Sequence, residues 1–303
     1  MIWDDLIQGE IKVNSKSFSD PIIVRGNETW TYLLCSIVDD IDFDITHVIR
    51  GEDHISNTVA QIQFFEALNA LVPKFAHLAR IVSKHEKISK RIGGFDIKAL
   101  RDEKEIEAMT IASFFALIGT SQDVSVFNKL EDLTKDFNID DFHKNPIHYE
   151  EVDLIRLNHK VLSSYSFAEV QKRLVKKDMP RANDFFWDII RNNINILSES
   201  KHWYDVCYEE ITLPKFSSDD REFLAKAFEV LPEEVEWNEN TWDKWIEAIK
   251  SYTDRRGKEL FIIIRRALTA MDSGPELKVL LPLIGKEKIQ QRLRGTDDNI
   301  RMN

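Results

Sequence analysis

Lys87-Ile88-Ser89-Lys90-Arg91 places three cations and a hydroxyl within five residues, and Gly93-Gly94 follows after Ile92. Such a loop has the backbone freedom to close on a triphosphate, and its charges can neutralise what builds on phosphate oxygens in a transition state. A solvated basic surface is the plainer use of the same string. Arg50 ends the β-branched run Thr46-His47-Val48-Ile49. A strand there would hold the guanidinium close to a sheet, where its fork of N–H donors can pair bidentately with a carboxylate. An ion pair with Glu52 or Asp53 is the alternative. His47, His54, His77 and His85 match no zinc spacing and read as structural histidines. Phe185-Phe186-Trp187, with Trp237, Trp242 and Trp245, could stack on unpaired bases, but helical spacing favours core packing for most of them.

The elements that must position these groups begin with β structure over residues 21–49. Pro21 to Val24, Thr29 to Leu34 and Ile45 to Ile49 read as strands, with a turn at Gly26-Asn27. Ser56-Asn57 then caps a helix in which Val59, Ile62, Phe65, Ala67 and Leu68 recur at helical spacing. The short apolar run Phe75 to Val82 leads into the Lys87 loop. This strand, helix, strand, loop succession is what half of a parallel α/β nucleotide-binding sheet looks like. Beyond residue 100 helices dominate, predicted over 104–118, 151–163, 167–177, 183–196, 218–230, 240–251, 254–271 and 275–283. Asn145-Pro146, Met179-Pro180, Leu213-Pro214, Ser273-Gly274-Pro275 and Gly285 punctuate them. The fold class is therefore α/β followed by all-α, in three parts: 1–97, a helical connecting region 98–165, and a helical domain 166–303.

At 303 residues, 43% hydrophobic and 31% charged, the chain supports two or three domains with their own cores. No stretch approaches the roughly 20 apolar residues that span a bilayer, and the acidic start Met1-Ile2-Trp3-Asp4-Asp5 is unlike a secretory signal. A cytoplasmic location and no membrane partner are expected. Cys35 and Cys207 lie far apart in hydrophobic runs and are expected to be buried, reduced and inert. The formal charge of -11 does not exclude a nucleic-acid partner, because only the local field at a binding surface matters. Lys84 to Arg91, Lys172-Arg173 with Lys176-Lys177, and Arg255 to Arg266 are the basic clusters, each readable on its own as a solvated helix face.

Taken together, Thr46-His47-Val48-Ile49-Arg50-Gly51-Glu52-Asp53-His54 and, three dozen residues on, the Lys87 to Arg91 loop resemble the catalytic domain of the glutamyl-tRNA synthetases, class I aminoacyl-tRNA synthetases. Leu117 to Ser121 and Asp153 to Asn158 are similar to that family's connecting helical region. Thr253 to Phe261, Ala267 to Thr269 and Gly274 to Leu277 are similar to its helical anticodon-binding domain. The resemblance implies a Rossmann-like catalytic part and an ATP-dependent activation of L-glutamate to glutamyl-adenylate, then transfer to the 3'-terminal adenosine of tRNA(Glu). Mg²⁺ would accompany ATP, and a monomer is implied. By the same resemblance Lys90 is the decisive phosphate contact, with Lys87, Ser89 and Arg91 beside it. Ile81 joins Lys90 in binding ATP, and Tyr32 and Arg50 recognise the glutamate side chain. An arginine there rejects a neutral amide analogue, which cannot form the charged pair.

Two departures qualify the resemblance. None of the ten glycines lies in the His-x-Gly-His type motif of class I enzymes, and Trp3 to Glu10 resembles a segment normally well inside the protein. The expectation is therefore that the N-terminal half of the catalytic domain is missing here, with any zinc site of its insertion, so that no protein zinc site is expected. On that expectation the isolated chain is inactive in adenylate formation. A tRNA-binding module, or a split-enzyme half needing an N-terminal partner, is the alternative. Arg80, in Leu78-Ala79-Arg80-Ile81-Val82, stands where the family is usually apolar.

Overall fold

Ile2-Trp3-Asp4-Asp5 and Gly9-Glu10-Ile11-Lys12 pair antiparallel as β1 (Ile2–Asp5) and β2 (Gly9–Lys12), with Asp5 opposite Gly9. Gly9 takes φ +76° to close the turn, a region that favours glycine. One Asp5 carboxylate oxygen accepts the Ile7 and Gln8 amides at 3.1 and 2.9 Å, fixing the turn from within. The computed structural model describes residues 1–14, 18–83, 96–234 and 237–295. These form two compact units, one of 1–99 with 108–157 and the other of 100–107 with 158 onward.

In the first unit, Val24 bridges Trp30 across the turn at Gly26-Asn27, but the expected strand from Thr29 to Leu34 does not form. Instead α1 (Tyr32–Asp42) begins after the extended Thr31. Leu33, Ile37 and Ile41 recur every four residues, and that spacing carries one helical face into a cluster with Ile62, Phe65 and Phe75. Packing of that face outweighs the strand preference of the local residue types. β3 (His47–Gly51), α2 (Ile55–Ala67) and β4 (Lys74–Leu78) follow as the expected strand–helix–strand, with β3 and β4 parallel and Arg50 in register with His77. Past Ala79-Arg80 the chain continues as β5 (Ile81–Ser83).

α3 (Ile97–Asp102) precedes α4 (Ala108–Leu117), so the helix expected over 104–118 is shorter at its start. Glu105, at φ +51°, breaks it, and the segment around it is held by residues of the second unit. The Glu107 amide donates to Asn158 Oδ1 at 2.8 Å, and the Glu105 carboxylate accepts from Lys177 and from the Ser198 amide at 2.6 and 2.9 Å. α5 (Leu130–Lys135) and β6 (Ile147–Tyr149) come next, β6 lying parallel to β5, and then α6 (Glu151–Ser164).

The second unit is helical: α7 (Phe167–Lys176), α8 (Asp184–Ile190), α9 (Ser200–Tyr208), α10 (Ser218–Glu229), α11 (Glu239–Lys250), α12 (Gly257–Thr269), α13 (Leu277–Ile284) and α14 (Lys286–Gly295). α8 stops at Ile190 and gives way to a 3₁₀ turn, short of the expected 196. α9 and α14 escaped the pattern reading. Phe186, Trp187 and Trp245 are fully buried in the core, and each indole N–H is satisfied, Trp187 by Tyr165 O and Trp245 by Ala227 O, both at 2.8 Å. Core packing therefore accounts for these rings, as their spacing indicated. Gly274, at φ +143°, lies so close to the Trp203 ring that a Cβ there would sit 2.0 Å from it. Cys207 is buried, and burial pushes its thiol up to about 12, but Cys35 is exposed, contrary to expectation. Helix α1 turns Cys35 away from the face that Leu33, Ile37 and Ile41 bury. Among the described residues no helix is long and apolar enough to cross a membrane.

Candidate functional site

Residues in register on neighbouring parallel strands project to the same face, so β3 and β4 bring Arg50 and His77 side by side. Arg50 Nε donates to His77 Nε2 at 3.3 Å. α2 crosses over this face and presents Thr58 and Gln61, three residues apart and hence on one helix face. Arg50 Nη2 donates to Thr58 Oγ1 at 2.6 Å, to Gln61 Oε1 at 2.5 Å and, more loosely, to the His54 carbonyl at 3.4 Å. The guanidinium also lies over the Phe75 ring, 5.6 Å from its centroid. Gln61 in turn donates to Ser36 Oγ of α1 at 3.3 Å.

Every hydrogen bond described for Arg50 thus runs to an uncharged acceptor. Among the described contacts neither Glu52 nor Asp53 forms an ion pair with it. Glu52 pairs with Arg80 at 2.7 Å, which gives that exposed arginine a place in the structure. Burial lowers the Arg50 pKa, and the nearby Tyr32 hydroxyl and the carboxylates of Asp40 and Asp53 oppose the shift. For Asp40 burial raises the carboxyl, with Arg50 pulling the other way. Tyr32 opens α1 largely exposed and near enough to Arg50 to act on its charge, its ring 6.5 Å from that of His54. Tyr32 and Arg50, named from the sequence, therefore meet at one place.

Behind Arg50 lies a group that the sequence reading did not assemble. Asp5 Oδ2 is 2.5 Å from His77 Nδ1, and Oδ1 accepts the His77 amide at 3.0 Å as well as those of Ile7 and Gln8. Burial alone would raise the Asp5 carboxyl, but the hydrogen bonds from the His77 ring and from the Gln8, His77 and Ile7 amides outweigh it and hold the carboxyl below its ordinary range. His77 Nε2 lies 3.1 Å from Thr58 Oγ1. Thr58–His77–Asp5 has the connectivity of a nucleophile triad. Thr58 is fully buried and already bound to Arg50, so the arrangement cannot present its hydroxyl to a substrate. Its free end is Arg50. Sequence gave no signal for this group, because Asp5 and His77 are 72 residues apart.

Ile81 lies on β5, half-buried. Lys87, Ser89, Lys90 and Arg91 fall outside the described residues. Within the other basic clusters, Arg173 pairs with Glu107 and Lys177 with Glu105, Arg255 with Asp219 and Asp220, and Arg266 with Asp272. Among the described residues no group of three or more His, Cys, Asp or Glu could hold a metal ion.

The family model for "tRNA synthetases class I (E and Q), catalytic domain" matches residues 1–155, and that for "Anticodon binding domain" matches 163–296. Among curated proteins, glutamate–tRNA ligase 1 of Rickettsia prowazekii is 48% identical over 291 residues, 96% of this chain and 64% of that protein. Glutamate–tRNA ligase 2 of Rickettsia canadensis is 46% identical over 291 residues, 96% of this chain and 65% of that protein. The chain thus spans about 64% of the length of the curated relatives it matches. Among solved structures, a glutamate tRNA ligase of Elizabethkingia meningosepticum in complex with its amino acid superposes with a TM-score of 0.76 at 20% identity, over 98% of this chain and 65% of that one. A glutamate–tRNA synthetase of Elizabethkingia anophelis gives 0.75 at 19%, with the same coverage of 98% and 65%. At these identities the two structures speak for the fold.

Proposed function

The chain belongs to the class I tRNA synthetases of the glutamate and glutamine group, and from that membership we propose that it is a glutamate–tRNA ligase. Arg50 carries the reading. A half-buried guanidinium whose described hydrogen bonds all go to uncharged groups is costly unless a further anion completes the site. A carboxylate is the anion that its fork matches. Tyr32, exposed beside it, offers a phenol to the same ligand. Arg50 and Tyr32 hold the side-chain carboxylate of L-glutamate, and glutamine is rejected because its amide cannot form the charged pair.

The reaction needs little from the protein beyond position and charge. The α-carboxylate of glutamate attacks the α-phosphorus of ATP, the bond to the bridging oxygen breaks, and pyrophosphate leaves with its electron pair. The terminal adenosine hydroxyl of tRNA(Glu) then attacks the adenylate carbonyl and AMP departs. Lys90, with Lys87, Ser89 and Arg91, meets the phosphates, and Ile81 contributes to the ATP site. Mg²⁺ bound to the triphosphate would supply further screening of the charge that Lys87, Lys90 and Arg91 meet. Residues 98–165 connect the catalytic part to 166–303, which binds the anticodon end of the tRNA. The protein works as a cytoplasmic monomer.

The test is glutamylation of bacterial tRNA(Glu) by the 303-residue chain, alone and with the N-terminal catalytic half of a related enzyme added. Glutamate-dependent product that disappears in Arg50→Ala supports the reading. No product in either arm, with salt-sensitive tRNA binding retained, would reduce it to a tRNA-binding module.

A further inference from the structure

Arg50 is held at its Nε by a histidine, and a histidine nitrogen accepts only if it carries no proton. What decides that is the group on the other side of the ring. Three backbone amides, those of Ile7, Gln8 and His77, converge on Oδ1 of Asp5, leaving Oδ2 to face His77 Nδ1. An ionised carboxylate can only accept, so the ring proton sits on Nδ1 and the Nε2 lone pair faces Arg50. A doubly protonated ring would instead set two donors and two cations face to face. The hydrogen bonds gathered on Asp5 hold its carboxyl below the ordinary range and keep it ionised. Asp5, Thr58, Gln61 and His77 are at most 3% exposed, so no solvent stands ready to replace a lost partner.

We propose that Asp5, acting through His77, is the positioning residue of the glutamate site: it fixes the histidine tautomer that orients Arg50. The inference rests on the reading of Arg50 as the carboxylate receptor, and neither Asp5 nor His77 is placed to touch substrate. Thr58 and Gln61 hold the far nitrogen of the same guanidinium, so His77 sets the rotation of the fork about an end that α2 already pins.

Asp5→Asn is the decisive variant because the geometry dictates how it sits. Its carbonyl oxygen must take the Oδ1 place, where three amides donate. Its NH₂ then donates to Nδ1 of His77, moves the ring proton to Nε2 and opposes it to the Arg50 Nε–H. In nitrogen-15 NMR of the 303-residue chain, wild-type His77 should carry its proton on Nδ1 and D5N should carry it on Nε2. In D5N the Arg50 Nε–H should exchange with solvent at least about ten-fold faster. L-glutamate affinity, read by calorimetry with any added N-terminal half held constant, should fall about ten- to hundred-fold, the usual worth of a hydrogen bond to a charged group. ATP affinity should not move, which a general loss of structure would not spare.

A wild-type proton on Nε2 overturns the proposal. So does a switched tautomer in D5N that leaves both Arg50 exchange and glutamate affinity unchanged. If Arg50 responds to D5N but glutamate binds neither protein, the positioning link stands and the glutamate reading fails. Should D5N not fold, the wild-type tautomer decides alone: a His77 proton on Nδ1 supports the positioning role, and one on Nε2 overturns it.

Discussion

Arginine at position 50 has two separable parts: its stem and donors fill a slot between β4 and α2, and on the proposed reading its charge receives the glutamate carboxylate. Arg50→Lys keeps the charge and loses the fork, since one ammonium cannot serve His77, Thr58 and Gln61 together. Glutamate affinity should drop at least about ten-fold, by the loss of roughly 1.5–3 kcal/mol of charge-assisted hydrogen bonding. Calorimetric titration checks this, and a change of less than two-fold, about 0.4 kcal/mol, would detach Arg50 from the ligand. Asp5 contributes through pH. Its folded carboxyl lies below the reference value of 3.8, so its share of stability is fully present above that value. It is lost as pH falls through the lower folded value. Acid unfolding of the first unit, followed through Trp3 and Trp30, should therefore steepen below pH 3.8 in wild type and flatten in Asp5→Asn.

Elements decide which of these residues meet, and here burial separates two ion pairs that look alike on paper. Arg173 of α7 grips Glu107, whose side chain is only 8% exposed, at 2.5 Å, and the Tyr165 hydroxyl shares that carboxylate. Lys177 and Glu105 form the more open pair, 35% and 26% exposed. Arg173→Leu strands a buried carboxylate and should cost about 2–3 kcal/mol, below the fully buried range because Arg173 is itself partly solvated. Lys177→Met should cost under about 1 kcal/mol. Urea unfolding followed through Trp187 checks both, and equal losses would deny the role of burial. Neither pair was visible in the sequence, where Lys172-Arg173 and Lys176-Lys177 read as one basic cluster. Periodicity did reveal β3, α2 and most helices of the second unit, because each carries its own apolar face. It missed α1 as a helix, since Thr29 to Leu34 has strand-like residue types and only the later Ile37 and Ile41 disclose a four-residue repeat. The motif around Arg50 was legible as a string of neighbours, whereas Asp5, Thr58, Gln61 and His77 became a site only when β1, β3, β4 and α2 folded together.

At the scale of the whole chain, a net charge of -11 would repel a polyanion if the cations were evenly spread, so any tRNA contact must be local. Four of the second unit's cations, Arg173, Lys177, Arg255 and Arg266, are already committed to Glu105, Glu107, Asp219, Asp220 and Asp272. The residues of the proposed glutamate site all lie in the first unit, within 1–99, whereas the large aromatic core belongs to the second. A ligand stabilises only the part that it binds, by RT ln(1 + [L]/Kd), or about 2.7 kcal/mol at a hundred times Kd. L-glutamate at that excess should raise the unfolding midpoint reported by Trp3 and Trp30 and leave the one reported by Trp187 and Trp245 in place. The shift should vanish in Arg50→Ala. Equal shifts of both reporters would mean that the units unfold as one cooperative body or that glutamate binds elsewhere. Persistence of that pattern in Arg50→Ala selects the second, because a ligand held by Arg50 cannot stabilise a chain that lacks it.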